Sequence, residues 1–203
     1  MPRSRTLTQG AIADAALAVL DHGGLASLTM RAVAADLGVS AMALYRYVDS
    51  REGLERWIVD RVLEPVDVAV PADEPWTQRI VKLMTRLRGA IVAHPAAVPL
   101  MLIHRHSSPT SLRWIEAVLS ALSEGGLTGV DRAIAQRSLL NYLLGSLNTQ
   151  HLSSLSGSGT ATMATLPKTD FPYIAETARV ARRLSPDKEF RLGLAVVLRG
   201  LER

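Results

Sequence analysis

Tyr45, Arg46 and Tyr47 stand side by side on a stretch with little else that is polar, and Arg31 and Arg51 lie close by in sequence. A guanidinium offers a fork of N–H donors that fits phosphate oxygens or a guanine edge, and a phenol hydroxyl can donate to a phosphate. The chemistry of such a group is recognition of a polyanion, with no bond made or broken. Thr29 and Ser40 add short hydroxyls, while Ala41 and Met42 offer apolar contact of the kind a thymine methyl accepts. Elsewhere no nucleophile stands with a base and an orienter, so the chain does not read as an enzyme. His104, His106 and His151 lack neighbouring carboxylates or Cys, and neither a metal nor a cofactor is assigned.

These side chains need a scaffold, and residues 27 to 54 supply one. Thr29 suits the N-cap of a first helix, whose Val33, Ala34 and Leu37 share a stripe. Gly38 follows, where a helix often ends in a left-handed residue. Val39 is the apolar residue of the turn, and Ser40 caps a second, short helix with Leu44 and Val48 facing inward. Asp49 and Ser50 break the pattern ahead of a further helix from about Arg51, in which Gly53 is unusual so early. Helix, glycine turn and helix is the geometry that lays a helix in the DNA major groove. A plain helical hairpin, with both tyrosines packed on a neighbour, is the competing reading.

Composition bounds the rest. The 203 residues are 48% hydrophobic but only 4% aromatic, which suits packed helices better than sheets. The absence of cysteine excludes disulfides and thiolate metal sites. The opening Met-Pro-Arg-Ser-Arg-Thr has no apolar h-region, and no apolar run approaches a membrane span, so a soluble cytoplasmic protein without a membrane partner is expected. The formal net charge is +4, yet residues 1 to 64 are not basic. There Arg3, Arg5, Arg31, Arg46, Arg51, Arg56 and Arg61 face Asp14, Asp21, Asp36, Asp49, Glu52, Glu55, Asp60 and Glu64. Binding to nucleic acid must therefore rest on placed contacts, including Arg3 and Arg5 on an N-terminal arm, rather than on bulk charge.

The expected architecture is all-α: an N-terminal three-helix helix-turn-helix domain over residues 1–63 and a C-terminal helical ligand-binding and dimerisation domain over residues 64–203. Helices are predicted at Thr8–His22, stopped by Gly23-Gly24, and at Arg51–Leu63. Others are predicted at Trp76–Ala93, Ala96–Arg105, Thr110–Glu124, Val130–Ser153, Tyr173–Leu184 and Pro186–Leu201. The Ser, Gly and Thr-rich stretch from Ser154 to Pro172 reads as a mobile loop.

The string Leu-Thr-Met-Arg, Ala-x-x-Leu-Gly-Val-Ser and Leu-Tyr-Arg-Tyr-Val resembles the signature of the TetR family of bacterial repressors, over about residues 7 to 57. Phe190-x-x-Gly193-Leu194 and Leu198-x-Gly200-Leu201 are similar to the tetracycline-repressor type of C-terminal domain. The resemblance implies DNA contacts at Thr29, Arg31, Tyr45, Arg46, Tyr47 and Arg51, with Ser40, Ala41 and Met42 at the head of the groove helix. It implies a homodimer through a four-helix bundle, with Leu139, Leu143 and Leu147 on one helix and Leu192, Val196 and Leu201 on the other. It implies a palindromic operator of double-stranded DNA, with half-sites about one helical turn, roughly 34–36 Å, apart. A small-molecule effector would bind the body and shift that separation through the linker from Leu63 to Trp76. Candidate lining residues are Met84, Leu87, Ile91, Met101, His104, Trp114, Val118, Asn141, Tyr142 and Asn148, a mostly hydrophobic set. A helical small-molecule-binding protein with weak or lost DNA recognition is the alternative.

Overall fold

The computed structural model describes residues 7–152 and 154–202, side chains at 151 and 152 excepted. The expected arm residues Arg3 and Arg5 lie outside the described residues, as does the His151 side chain. The described elements are helical throughout: α1 (Gln9–Ser27), α2 (Met30–Asp36), α3 (Ala41–Leu44), α4 (Arg51–Leu63), α5 (Trp76–Ala93), α6 (Val98–His104), α7 (Pro109–Glu124), α8 (Gly129–Leu152), α9 (Ser158–Met163), α10 (Pro172–Ala181) and α11 (Pro186–Arg199). A 3₁₀ turn at Pro95–Ala97 precedes α6. No single helix among the described residues is long and apolar enough to cross a membrane. Two compact units result, Met1–Val70 with Arg86–Val118 and Pro71–Thr85 with Leu119–Arg203.

In the first unit α1 packs on α2 and α4, α2 on α3, and α4 on α6. Its core collects Ile12, Leu20, Leu28, Leu44, Leu54, Ile58 and Leu100, each fully buried. Burying a side chain of this size contributes about 1.5–3 kcal/mol, which offsets the conformational entropy of ordering the short helices. Hydroxyl caps start α1 to α4 in turn. Thr8 accepts from the amide of Ala11, Thr29 from Ala32, Ser40 from Ala43 and Ser50 from Gly53, at 3.1–3.2 Å. Each such cap is worth about 1 kcal/mol.

The predicted stop of α1 needs correction. Gly24 does leave helical geometry, at φ 68° and ψ −176°, but one more turn follows before Leu28. That turn is closed by Ser27, whose hydroxyl donates to the carbonyl of Gly23 at 2.7 Å. The element thus ends at Ser27 rather than His22.

In the second unit α8 packs on α11, and α9 on α10. Ala135, Leu139 and Leu143 form the inward stripe of α8, and Phe190, Leu194 and Leu198 that of α11. Glycine shapes the end of α7. Gly126 has φ 83°, its amide donates to Ser123, and that of Leu127 donates to Leu122. This pattern satisfies the last carbonyls of the helix, and Leu127 tucks inward behind it. The neighbouring Gly125 lets the Trp76 ring lie on the chain, because a Cβ there would sit 2.7 Å from it.

Two expectations for this unit are corrected. The Ser154–Pro172 stretch is not a loop throughout, since Ser158–Met163 forms α9 against α10. Gly157 starts α9 in extended geometry, and the burial of Thr160 and Ala164 stabilises it, which the polar composition concealed. Leu139 and Leu143 are fully buried inside their own chain, so neither has surface left for a second copy. Leu147 and Leu201 are half-buried. Leu192 and Val196 remain more than half exposed, as do Val130 and Ile134 of α8.

Candidate nucleic-acid interface

The helix-turn-helix is built by local chemistry. The Gly38 amide donates to Ala35 at 3.1 Å, and the Val39 amide to Ala34 at 2.9 Å. With Gly38 at φ 70°, this is a Schellman close, a turn that residues with a Cβ adopt only at a cost. Ser40 then starts α3, a single turn. The chain continues tightly, with the Arg46 amide donating to Ala43 and the Tyr47 amide to Leu44. Leu44 and Val48 point inward, both buried. Gly53, the odd residue at the head of α4, now has a reason: a Cβ there would lie 3.1 Å from a methyl of Val48.

What remains faces outward. Met42 is 74% exposed, Tyr45 48% and Tyr47 45%. Arg46, Arg31, Thr29 and Arg51 are exposed, as is Ser40, with Ala41 half-buried. The tyrosines are thus not packed away as a plain hairpin would have them. Thr29 and Ser40 use their oxygens as acceptors in capping, which leaves each hydroxyl proton to donate outward.

The acids of this region divide between ion pairs or hydrogen bonds and free surface. Most of them are engaged elsewhere. Asp14 takes Arg61 at 2.5 Å, Glu64 takes the same guanidinium, and Asp21 takes His94 at 2.7 Å. The hydrogen bonds that Arg61 donates to Asp14 and Glu64 hold its guanidinium above its ordinary pKa. Asp60 accepts from Ser108 at 2.7 Å, from the Thr110 amide at 3.2 Å and from the Thr110 hydroxyl. Glu55 is shared by Arg51 and His104. Arg31 and Arg46 have no ion pair among the described residues, although Asp36, Asp49 and Glu52 stay exposed nearby in sequence. The face thus carries two unpaired guanidinium groups, Arg31 and Arg46, beside three exposed carboxylates, so any contact it makes with a polyanion rests on where these groups are placed rather than on net charge.

The residues expected around a ligand are less uniform. Met84, Leu87, Ile91, Trp114 and Val118 are buried, and Met101 is half-buried. His104 is buried with its ring given to Glu55. Tyr142 donates to the backbone carbonyl of Phe190 at 2.8 Å, and Asn141 and Asn148 are exposed. Clefts among the described residues include two of similar size. One, of about 330 Å³, lies in the first unit among Arg61, Pro65, Val66, Arg86 and His94. The other, of about 350 Å³, lies in the second among Leu155, Thr160, Met163, Tyr173, Ile174 and Ala178. None of the expected ligand residues lines either cleft.

Fold and face together define a helix-turn-helix protein with a separate helical body. Residues 12–55 match the model for bacterial regulatory proteins of the tetR family, and residues 70–203 match that for the tetracyclin repressor-like C-terminal domain. The chain belongs to the TetR family of bacterial regulatory proteins. It is 31% identical over 151 residues to an HTH-type transcriptional regulator of Saccharopolyspora erythraea, covering 73% of this chain and 64% of the relative. It is 30% identical over 146 residues to the HTH-type transcriptional repressor DrrR1 of Streptomyces coeruleorubidus, covering 71% of this chain and 54% of that one. The matches thus span less than two thirds of the length of these curated relatives. Among solved structures it is similar to the TetR family protein ActR of Streptomyces coelicolor in complex with (S)-DNPA. There the TM-score is 0.80 at 28% identity, with 96% of each chain covered.

Proposed function

We propose that this TetR-family chain is a ligand-responsive transcriptional regulator, a repressor that binds a palindromic operator as a homodimer and is released by a small hydrophobic effector. One observation carries the reading. The outward face of α3 and its following turn presents Met42, Tyr45, Arg46 and Tyr47 to solvent, flanked by Arg31 and Arg51, with Arg31 and Arg46 free of any ion pair among the described residues. Arginine and tyrosine would hold phosphates or base edges, and Ala41 and Met42 would touch thymine methyls. The apolar pair Leu192 and Val196 supports a second copy on the α11 face. Residues 1–63 would read DNA, and residues 64–203 would dimerise and bind the effector. The small molecule held by ActR and the repressor role of DrrR1 agree with this assignment. The reading places the protein in the cytoplasm, where its operator is, and gives it no catalytic step.

The test is selection of duplexes from a random-sequence library on the purified full chain. Enrichment of an inverted repeat with half-sites about one helical turn apart is the expected outcome. Recovery of duplexes with no common sequence would contradict it.

A further inference from the structure

Glu55 is the only described carboxylate that ties the candidate DNA face to a buried histidine, and each of its oxygens has one partner. Oε1 accepts from Nε of Arg51 at 2.8 Å, and Oε2 accepts from Nε2 of His104 at 2.8 Å. A carboxylate only accepts, so the proton of this bond sits on Nε2 of the imidazole. The side chains of Glu55 and His104 are 12% and 8% exposed, while that of Arg51 is 47% exposed. Arg51 uses Nη2 on the carbonyl of Leu25 at 3.2 Å, at the end of α1. Its Nη1 is the nitrogen left for an outside acceptor. A second tie holds the same two regions, because Asp60 binds the Ser108 and Thr110 side chains five residues further along α4.

We propose that His104 is a positioning residue for DNA binding, which holds Arg51 in the conformation that reaches a backbone phosphate. The inference rests on the reading of Arg51 as a phosphate contact. Its physics is a competition. A carboxylate with both oxygens open takes an arginine as a fork, through Nε and one terminal nitrogen together. Such a pair would draw the guanidinium off Leu25 and offer the phosphate a neutralised partner. By occupying Oε2, His104 restricts Glu55 to a single bond with Arg51. The guanidinium then keeps its place between α4 and α1, with one nitrogen outward. A buried imidazole does this without adding an exposed charge to the face.

The experiment uses the full chain and a labelled duplex recovered by the selection described above. His104→Leu removes the donor and keeps the site apolar. The expected result is affinity lowered about five- to tenfold, with a shallower salt dependence, since a charge-assisted contact is weakened. His104→Gln, whose amide nitrogen reaches the position of Nε2, restores most of the affinity. In an Arg51→Ala background His104→Leu has no further effect, because the residue it positions is gone. If circular dichroism shows that the leucine variant does not fold, His104→Asn, polar but too short for Oε2, takes its place. Unchanged affinity in His104→Leu would overturn the proposal. So would losses that multiply with those of Arg51→Ala, which mark a general structural role. Failure of the wild type to hold any selected duplex is a different result: it overturns the DNA-binding reading and this inference with it.

Discussion

Tyr142 and Phe190 are joined twice: the Tyr142 hydroxyl donates to the Phe190 backbone carbonyl at 2.8 Å, and the two rings stack with centroids 5.5 Å apart at 29°. The arrangement depends on Gly193, one turn beyond Phe190 on α11. A Cβ there would run into the Tyr142 hydroxyl and lie 2.9 Å from its Cζ. Gly193→Ala should therefore destabilise the second unit by about 1–3 kcal/mol, despite the better helix propensity of alanine. Tyr142→Phe should cost about 1 kcal/mol by itself, for the missing hydrogen bond. Because it also removes the atom nearest the new methyl, the double variant should be more stable than the sum of the two losses predicts. Denaturant unfolding of the three variants measures this, and simple additivity would contradict the contact.

Gly38→Ala places a Cβ at φ 70° in the turn between α2 and α3. The strain should cost about 1–2 kcal/mol of the first unit's stability. The same change at Gly10, which is exposed near the start of α1 with nothing within 4 Å of a Cβ, should be neutral or stabilising. Parallel melting curves of the two variants test the assignment of Gly38 to the left-handed position.

Arg79 is buried on α5, and Glu124 at the end of α7 is its ion-pair partner within the second unit. The hydrogen bond from Arg79 holds the Glu124 carboxyl below the usual carboxylate range. A lowered folded pKa means stability that is present above the unfolded value, about 4.3, and lost as pH falls through the folded value. Glu124→Gln should thus be less stable than wild type at neutral pH, with the gap closing on acidification. Urea midpoints measured from about pH 7 down to about 3 test this. A gap that is constant with pH would show that the anion contributes nothing.

Leu192 and Val196 face solvent from α11, while Leu139 is fully buried in the chain's own core. Val196→Asp should shift the chain toward monomer in sedimentation velocity and leave its melting behaviour as a monomer near normal. Leu139→Ala should cost about 2–5 kcal/mol in stability without selectively breaking the dimer. The reverse pattern would place the intersubunit contact elsewhere.

Much of the first unit could be read from residue types because its signals are local. Thr29, Ser40 and Ser50 cap within three residues, and Gly38 closes a helix within four, so short-range chemistry fixes the turn. Relations between distant residues were not legible. Gly125 against Trp76 and Gly193 against Tyr142 show which glycines make room, and nothing in their spacing states it. His104 read as a ligand residue because a histidine among apolar neighbours carries no mark of its partner, which is Glu55 on another helix. By resemblance, α8 offers Leu139, Leu143 and Leu147 to a second copy. Folded, it spends Leu139 and Leu143 on its own core and leaves Val130 and Ile134 outside. The α9 turn was hidden for the opposite reason, since its buried residues are Thr and Ala rather than large apolar side chains.

The most direct measurement is fluorescence anisotropy of wild type and of an Arg46→Ala, Tyr47→Ala variant on a selected duplex, at low and at physiological salt. Both residues are exposed, so the fold should survive their replacement. The account predicts saturable, sequence-preferring binding by wild type, with affinity reduced at least about a hundredfold in the variant, on the order of 2.8 kcal/mol in total. Dimerisation and melting temperature should be unchanged. Equal affinity of the two proteins, or equal binding of wild type to random duplex, would contradict the central claim that this face reads DNA.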